Sequence, residues 1–145
     1  MKIVDANVLL YAVNADSIHH DAARPWLDAA LSGAEPIGFA WTVILAFLRI
    51  CTRATIFPQP LSSAQAVATM ENWLAQPPAI IVEPSTRHLA LLAGLLDTSG
   101  TAGNLVSDAH LATLALEHDA EVVSYDTDFT RFDGLRCSAP SPVRA

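Results

Sequence analysis

The chain has 145 residues, enough for one domain that buries roughly 68–70% of its unfolded surface. Its 52% apolar content excludes a disordered chain. Its net charge of −7 excludes a broad basic surface for nucleic acid, although metal ions can still neutralise a phosphodiester contact on an acidic protein.

In chain order, Lys2 to Val4 reads as a short buried strand, and Asn7 to Val13 as a helix with Val8, Leu9 and Tyr11 facing inward. Ser17 to Ser32 shows helical spacing of Ile18, Ala22, Trp26, Leu27, Ala30 and Leu31, with Gly33 as a stop. Pro25 conflicts with it, and either kinks that helix or opens a shorter one. Pro36 to Phe39 is a second strand, and Trp41 to Thr52 a strongly apolar helix ending in Arg49 and Arg53. Ile56 to Leu61, with Pro58 and Pro60, is a loop. Ser62 to Ala75 starts with a polar cap and continues as an amphipathic helix through Ala66, Val67, Met70, Trp73 and Leu74. Ala79 to Val82 is a strand, Ser85 to Leu96 a helix, and Ser99 to Gly103 a flexible break. Asn104 to His118 is a helix, Glu121 to Ser124 a strand, and a last strand falls around Leu135 to Ser138. Strands alternating with helices predict an α/β fold, a mainly parallel sheet of four to five strands covered on both faces, within a single domain over residues 1–145. Trp41, Trp73 and Met70 read as core, with Trp26 or Trp73 available to a partner.

Cys51 and Cys137 stand far apart without a Cys-x-x-Cys or matching histidine spacing, which predicts two free thiols and no zinc. Asp5 and Asn7 interrupt the only apolar segment that follows a basic start, and the longest uncharged run, Pro36 to Leu48, is shorter than the ~20 residues that span a bilayer. A cytoplasmic protein without a membrane segment is the expectation.

The acidic residues carry the chemistry. Asp5 follows the first strand, Asp126 and Asp128 follow the strand at Glu121 to Ser124, and Asp108 shares a helix face with Leu111, Ala112 and Ala115. In open α/β sheets the functional crevice lies past the carboxyl ends of the strands, so two neighbouring strands would bring these distant positions to one edge. Two carboxylates about 4 Å apart repel by roughly 4 kcal/mol at an effective dielectric near 20, so a cluster of them requires a divalent cation or raised pKa values. Read singly, Asp5 is a helix cap, Asp108 an ion-pair partner for Arg87 or Arg131, and Asp126-Thr127-Asp128 an acidic turn. Read together, they form a hard-cation site.

The stretches Ile3-Val4-Asp5-Ala6-Asn7-Val8-Leu9-Leu10-Tyr11, Phe47-Leu48-Arg49, Gly103-Asn104-Leu105-Val106-Ser107-Asp108-Ala109-His110-Leu111-Ala112 and Val123-Ser124-Tyr125-Asp126-Thr127-Asp128-Phe129 resemble the ordered motifs of PIN-domain ribonucleases, in particular the VapC toxins of toxin–antitoxin pairs. The resemblance extends over essentially the whole chain. It implies a three-layer PIN-like domain that uses Mg²⁺ or Mn²⁺ to hydrolyse RNA phosphodiester bonds. By position it implies that Asp5, Asp108 and Asp126 are catalytic and bind the metal, that Asp128 is a nearby or water-mediated ligand, and that Asn7 and Ser124 support them by hydrogen bonding. It also implies a homodimer, and a VapB-like antitoxin whose tail inserts an arginine into the acidic pocket.

One departure stands out. The family carries a glutamate on the helix that here spans Trp41 to Thr52, yet Ile44, Leu45 and Ala46 are apolar and no acidic residue occurs between Glu35 and Glu71. Either Asp128 fills that role and more metal-bound water completes the site, or the protein is a catalytically weak PIN-like binding or regulatory module. Arg49 is then a contact for phosphate or for an antitoxin carboxylate, or else a solvated helix end beside the dipole. Asn104 is a further contact on the face of Asp108, or the cap of its helix, and His110 points away as a surface or packing residue. Two rival motifs are incomplete. His19-His20-Asp21 lacks the upstream histidine of HD-type phosphohydrolases, and Asp5-Ala6-Asn7-Val8 lacks the downstream lysine of haloacid-dehalogenase-like phosphatases.

Overall fold

The computed structural model describes residues 1–100 and 103–142, with the side chain of Asn104 outside that description. Strands β1 (Lys2–Val4), β2 (Ile37–Ala40), β3 (Ala79–Val82), β4 (Glu121–Val123) and β5 (Arg136–Ser138) form a parallel sheet in the order β3-β2-β1-β4-β5. Helices α1 (Ala6–Val13), α2 (His20–Leu31), α3 (Trp41–Cys51), α4 (Ser63–Leu74), α5 (His88–Ser99) and α6 (Val106–Glu117) flank it. This is the expected three-layer α/β architecture.

Register explains how the ends of the chain meet. Ile3 lies opposite Gly38 on one side and Val122 on the other, so β1 is the central strand and β4 its direct neighbour. Ile3, Val4, Val122 and Val123 are buried, as parallel strands covered by helices require. The ladder continues beyond the strands, because the Asp5 amide donates to the Val123 carbonyl at 3.0 Å. Asp5 and Ser124 therefore leave the sheet side by side at its carboxyl edge. Packing between these strands leaves no room at Gly38, where a Cβ would lie 2.9 Å from Cγ1 of Val82 and 3.0 Å from Cγ1 of Ile3. Phe39, Phe47, Phe129, Ile3, Leu9 and Leu27 are among the largest fully buried side chains of the described residues.

Several elements differ from expectation. Helix α2 starts at His20 after a turn in which the Ser17 amide bonds the Asn14 carbonyl, and Pro25 lies inside it. Burial of Ala23, Leu27 and Leu31 offsets the missing amide donor. Ser85 does not open α5, because its amide donates to Glu117 and its hydroxyl accepts from the Arg87 amide, which holds those residues in a turn. The helix instead runs on to Ser99 and closes at Gly100, whose φ of 65° is a left-handed conformation that glycine adopts without strain. Ser99 and Gly100 are thus a helix end rather than a break, Gly103 opens a 3₁₀ turn, and Thr101 and Ala102 between them lie outside the described residues.

Helix α6 begins at Val106 behind a 3₁₀ turn, Gly103–Leu105, with Leu105 at the cap position and no side-chain cap bond. Asn104 is therefore not its cap. Trp41 is 51% exposed at the solvent-facing start of α3 and is not core, whereas Met70 is buried and Trp73 packs edge-on against Phe47 with ring centroids 5.2 Å apart. On α1 the inward position belongs to Ala12, and Tyr11 is only half-buried. Cys51 and Cys137 are free thiols. Among the described residues no helix is long and apolar enough to cross a membrane.

Candidate metal centre

The site grows from the ends of β1 and β4. Asp5 has extended backbone and caps α1, its Oδ1 accepting from the Ala6 amide at 2.7 Å. Its Oδ2 accepts from the Ser124 hydroxyl at 2.7 Å and from Asn7 Nδ2 at 3.2 Å. Asn7 Nδ2 also donates to Ser124 Oγ at 3.0 Å, and Asn7 Oδ1 accepts from the Tyr125 amide at 3.2 Å. The Asp126 amide donates to Ser124 Oγ at 3.0 Å. The one hydroxyl proton and both lone pairs of Ser124 are thus committed, and this locks the two strand ends together.

Asp126 turns the chain again. Its carboxylate accepts from the Asp128 amide at 2.9 Å and caps a 3₁₀ turn, Thr127–Arg131, anchored by the buried Phe129. Asp128 pairs with Arg131 at 3.4 Å, so Arg131 serves Asp128 and not Asp108. Asp108 occupies the first turn of α6 and has no ion-pair partner among the described residues. Carboxylate oxygens of Asp108, Asp126 and Asp128 lie within 4.8 Å of one another, and no other group of three metal-ligating side chains among the described residues is so close.

Asp5 stands outside that compact set but is coupled to it through charge. Partial burial, followed by the charges of Asp126, Asp5 and Asp128, pushes the Asp108 carboxyl up to about 6. Burial also raises Asp5, with Asp126 adding to the rise and the bonds from Ser124 and Ala6 opposing it. The crowding expected of these acids is therefore present, and it is the strain that a divalent cation relieves.

A cavity of about 340 Å³ opens beside them, lined by Asp5, Ala6, Ser107, Asp108 and Leu111, and by Thr42, Val43, Leu45, Ala46 and Arg49 of α3. Residues 2–135 match the family model of the PIN domain.

The chain belongs to the PIN-domain family.

Within that family it groups with the VapC proteins. It is 55% identical to Ribonuclease VapC37 of Mycobacterium tuberculosis (strain ATCC 25618 / H37Rv), over 140 residues that cover 97% of each chain. It is 41% identical to Ribonuclease VapC33 of M. tuberculosis (strain CDC 1551 / Oshkosh), covering 97% of this chain and 98% of that protein. The crystal structure of VapBC2 from Rickettsia felis bound to a DNA fragment from their promoter shares the fold, with a TM-score of 0.71 at 18% identity over 97% of this chain and 98% of the other.

In this PIN domain the α3 wall carries no carboxylate. Ile44 is buried in the core, whereas Thr42, Leu45, Ala46 and Arg49 repeat at helical spacing along the cavity, with Arg49 the charged member. Sequence reasoning placed Arg49 near the pocket but missed Thr42 and Ser107. The available signal was a polar residue seven positions before Arg49 on an otherwise apolar helix. The side chain of Asn104 lies outside the described residues. The rival motifs have other employment: His20 Nδ1 bonds the Tyr11 carbonyl at 2.8 Å, His19 stacks on Tyr125, and Lys2 pairs with Glu35. His110 is half-buried and bonds His88 at 2.8 Å, a packing role away from the acids. The candidate donors in the PIN pocket are all oxygen, the carboxylates and the hydroxyls of Thr42 and Ser107, which suits a hard divalent cation.

Proposed function

We propose that this VapC-like PIN domain is a metal-dependent endoribonuclease toxin, cytoplasmic and single-domain over residues 1–145, neutralised by a VapB-like antitoxin. The observation that carries the reading is the convergence of Asp108, Asp126 and Asp128 within 4.8 Å beside Asp5, in a chain 55% identical to a protein named as a ribonuclease. Asp108, Asp126 and Asp128 hold the cation, Mg²⁺ or Mn²⁺, and Asp5 completes the acidic edge, held in place by Ser124 and Asn7. When bound, such a cation supplies Lewis-acid activation of water and neutralises charge developing on the phosphate. Arg49 binds the phosphate from the α3 side, which fixes the scissile bond over the carboxylates. An antitoxin arginine entering the same cavity would compete for those acids.

A homodimer is part of the proposal. Helix α5 is rich in leucine and alanine yet has no buried residue, and Leu89 is 77% exposed, the kind of surface that a second chain covers.

The decisive experiment is cleavage of single-stranded RNA with Mg²⁺ or Mn²⁺, with chelator and Asp108→Asn as controls. Metal-dependent cleavage abolished by both supports the reading. The α3 wall without a carboxylate favours a second reading, a binding or regulatory module. Tight antitoxin binding with no cleavage at saturating Mn²⁺ would establish that one instead.

A further inference from the structure

We propose that this pocket holds a single divalent cation, on Asp108, Asp126 and Asp128, and that the Arg49 guanidinium takes the electrostatic place of a second. The proposal rests on the metal-dependent reading above and concerns how many ions the site takes. Two-metal phosphodiesterases set their ions about 3.5–4 Å apart, and each hard cation needs oxygen ligands of its own. Here the carboxylates within mutual reach come from one side, the start of α6 and the turn after β4.

Asp5, the remaining acid of the cavity, already accepts three hydrogen bonds, Oδ1 from the Ala6 amide at 2.7 Å and Oδ2 from Ser124 at 2.7 Å and Asn7 at 3.2 Å, so it has a single lone pair left, on Oδ1, and cannot by itself make a second ion's ligand set. The facing wall is Thr42, Leu45 and Ala46, with Arg49 as its charged group. An ion displaced toward α3 would meet one neutral hydroxyl, that of Thr42, the Ala46 methyl, a leucine side chain and a permanent positive charge, with no carboxylate among them. A guanidinium placed there neutralises a phosphate oxygen without needing carboxylate ligands of its own, and its charge repels a second cation.

The test counts Mn²⁺ on the full chain by equilibrium dialysis, and reads low-temperature electron paramagnetic resonance for exchange coupling between ions. The proposal expects one Mn²⁺ per chain with an uncoupled signal, lost in Asp126→Asn. It also expects Ala46→Glu/Arg49→Ala to recruit a second, coupled Mn²⁺ while circular dichroism stays unchanged. If that double variant unfolds, Arg49→Ala alone is read, and it should tighten the single Mn²⁺ or admit a second. Two coupled Mn²⁺ ions in the unaltered protein would overturn the proposal while leaving the nuclease reading intact. No Mn²⁺ binding by the folded protein would sink both.

Discussion

The hydroxyl of Ser124 donates a 2.7 Å hydrogen bond to Oδ2 of Asp5, joining residues 119 positions apart in sequence. Because Ser124 also accepts from Asn7 and from the Asp126 amide, one oxygen sets the positions of two acids. Ser124→Ala should therefore lower RNA cleavage at least tenfold while costing only about 1–2 kcal/mol of stability in a urea titration. Unchanged cleavage would show that Asp5 is positioned without it.

Asp5 has two jobs, and two substitutions separate them. Asp5→Asn keeps an acceptor for the Ala6 amide but puts a donor where Oδ2 accepts from Ser124 and Asn7, so it should abolish cleavage and lose those bonds while keeping the cap. Asp5→Ala should abolish cleavage and also lose about 1 kcal/mol through the missing cap. Equal stability of the two variants would contradict the cap.

Asp108 gives a pH dependence with a definite sign. Its folded-state pKa, about 6, lies above the unfolded value, so the folded protein binds the proton more tightly. Without metal, this group favours folding below the unfolded pKa near 4, and that contribution is lost as pH rises through 6, by on the order of 1 kcal/mol after discounting for solvent screening. Melts in chelator from pH 4 to 7 should show the decline, and Asp108→Asn should flatten it. Mn²⁺ should stabilise the protein strongly at pH 7 and weakly at pH 5, because the ligands must first lose their protons.

Arg49→Ala should weaken binding of single-stranded RNA about fivefold to tenfold in the presence of metal, the loss of roughly 1–1.4 kcal/mol from one charge-assisted phosphate contact. Arg49→Lys should restore only part of it, because an ammonium lacks the planar fork. Fluorescence anisotropy at two salt concentrations would measure both. Full affinity in Arg49→Ala would remove Arg49 from the substrate path.

Gly38 carries a packing prediction. A methyl at that position meets Val82 at 2.9 Å and Ile3 at 3.0 Å, so Gly38→Ala should cost about 1–3 kcal/mol. A urea midpoint equal to that of the unaltered protein would show that the strands yield.

What the sequence revealed about the site, and what it hid, follow from local physics. The apolar runs at Ile3-Val4 and Val122-Val123 lie directly before the acids, so a parallel sheet put Asp5 and Asp126 at one edge with no further information. The compact grouping of Asp128 with Asp108 and Asp126, and not with Asp5, depends on the 3₁₀ turn at Thr127–Arg131, which propensities do not resolve. Helix α3 is apolar nearly all round, so its pattern could not say that Ile44 faces the core while Leu45 is 59% exposed on the cavity. Helices α2 and α5 start later than Ser17 and Ser85 because those serines act in turns just ahead of them.

Of the five strands, the central one is synthesised first and the neighbour that completes its acidic edge fourth. A nascent chain on the ribosome therefore carries Asp5 without its Ser124 partner until the fourth strand is made, and the full set of carboxylates comes together only after residues 124–128 have emerged. A chain interrupted before Ser124 lacks the cluster, so the acidic edge cannot form on any product that stops short of the fourth strand.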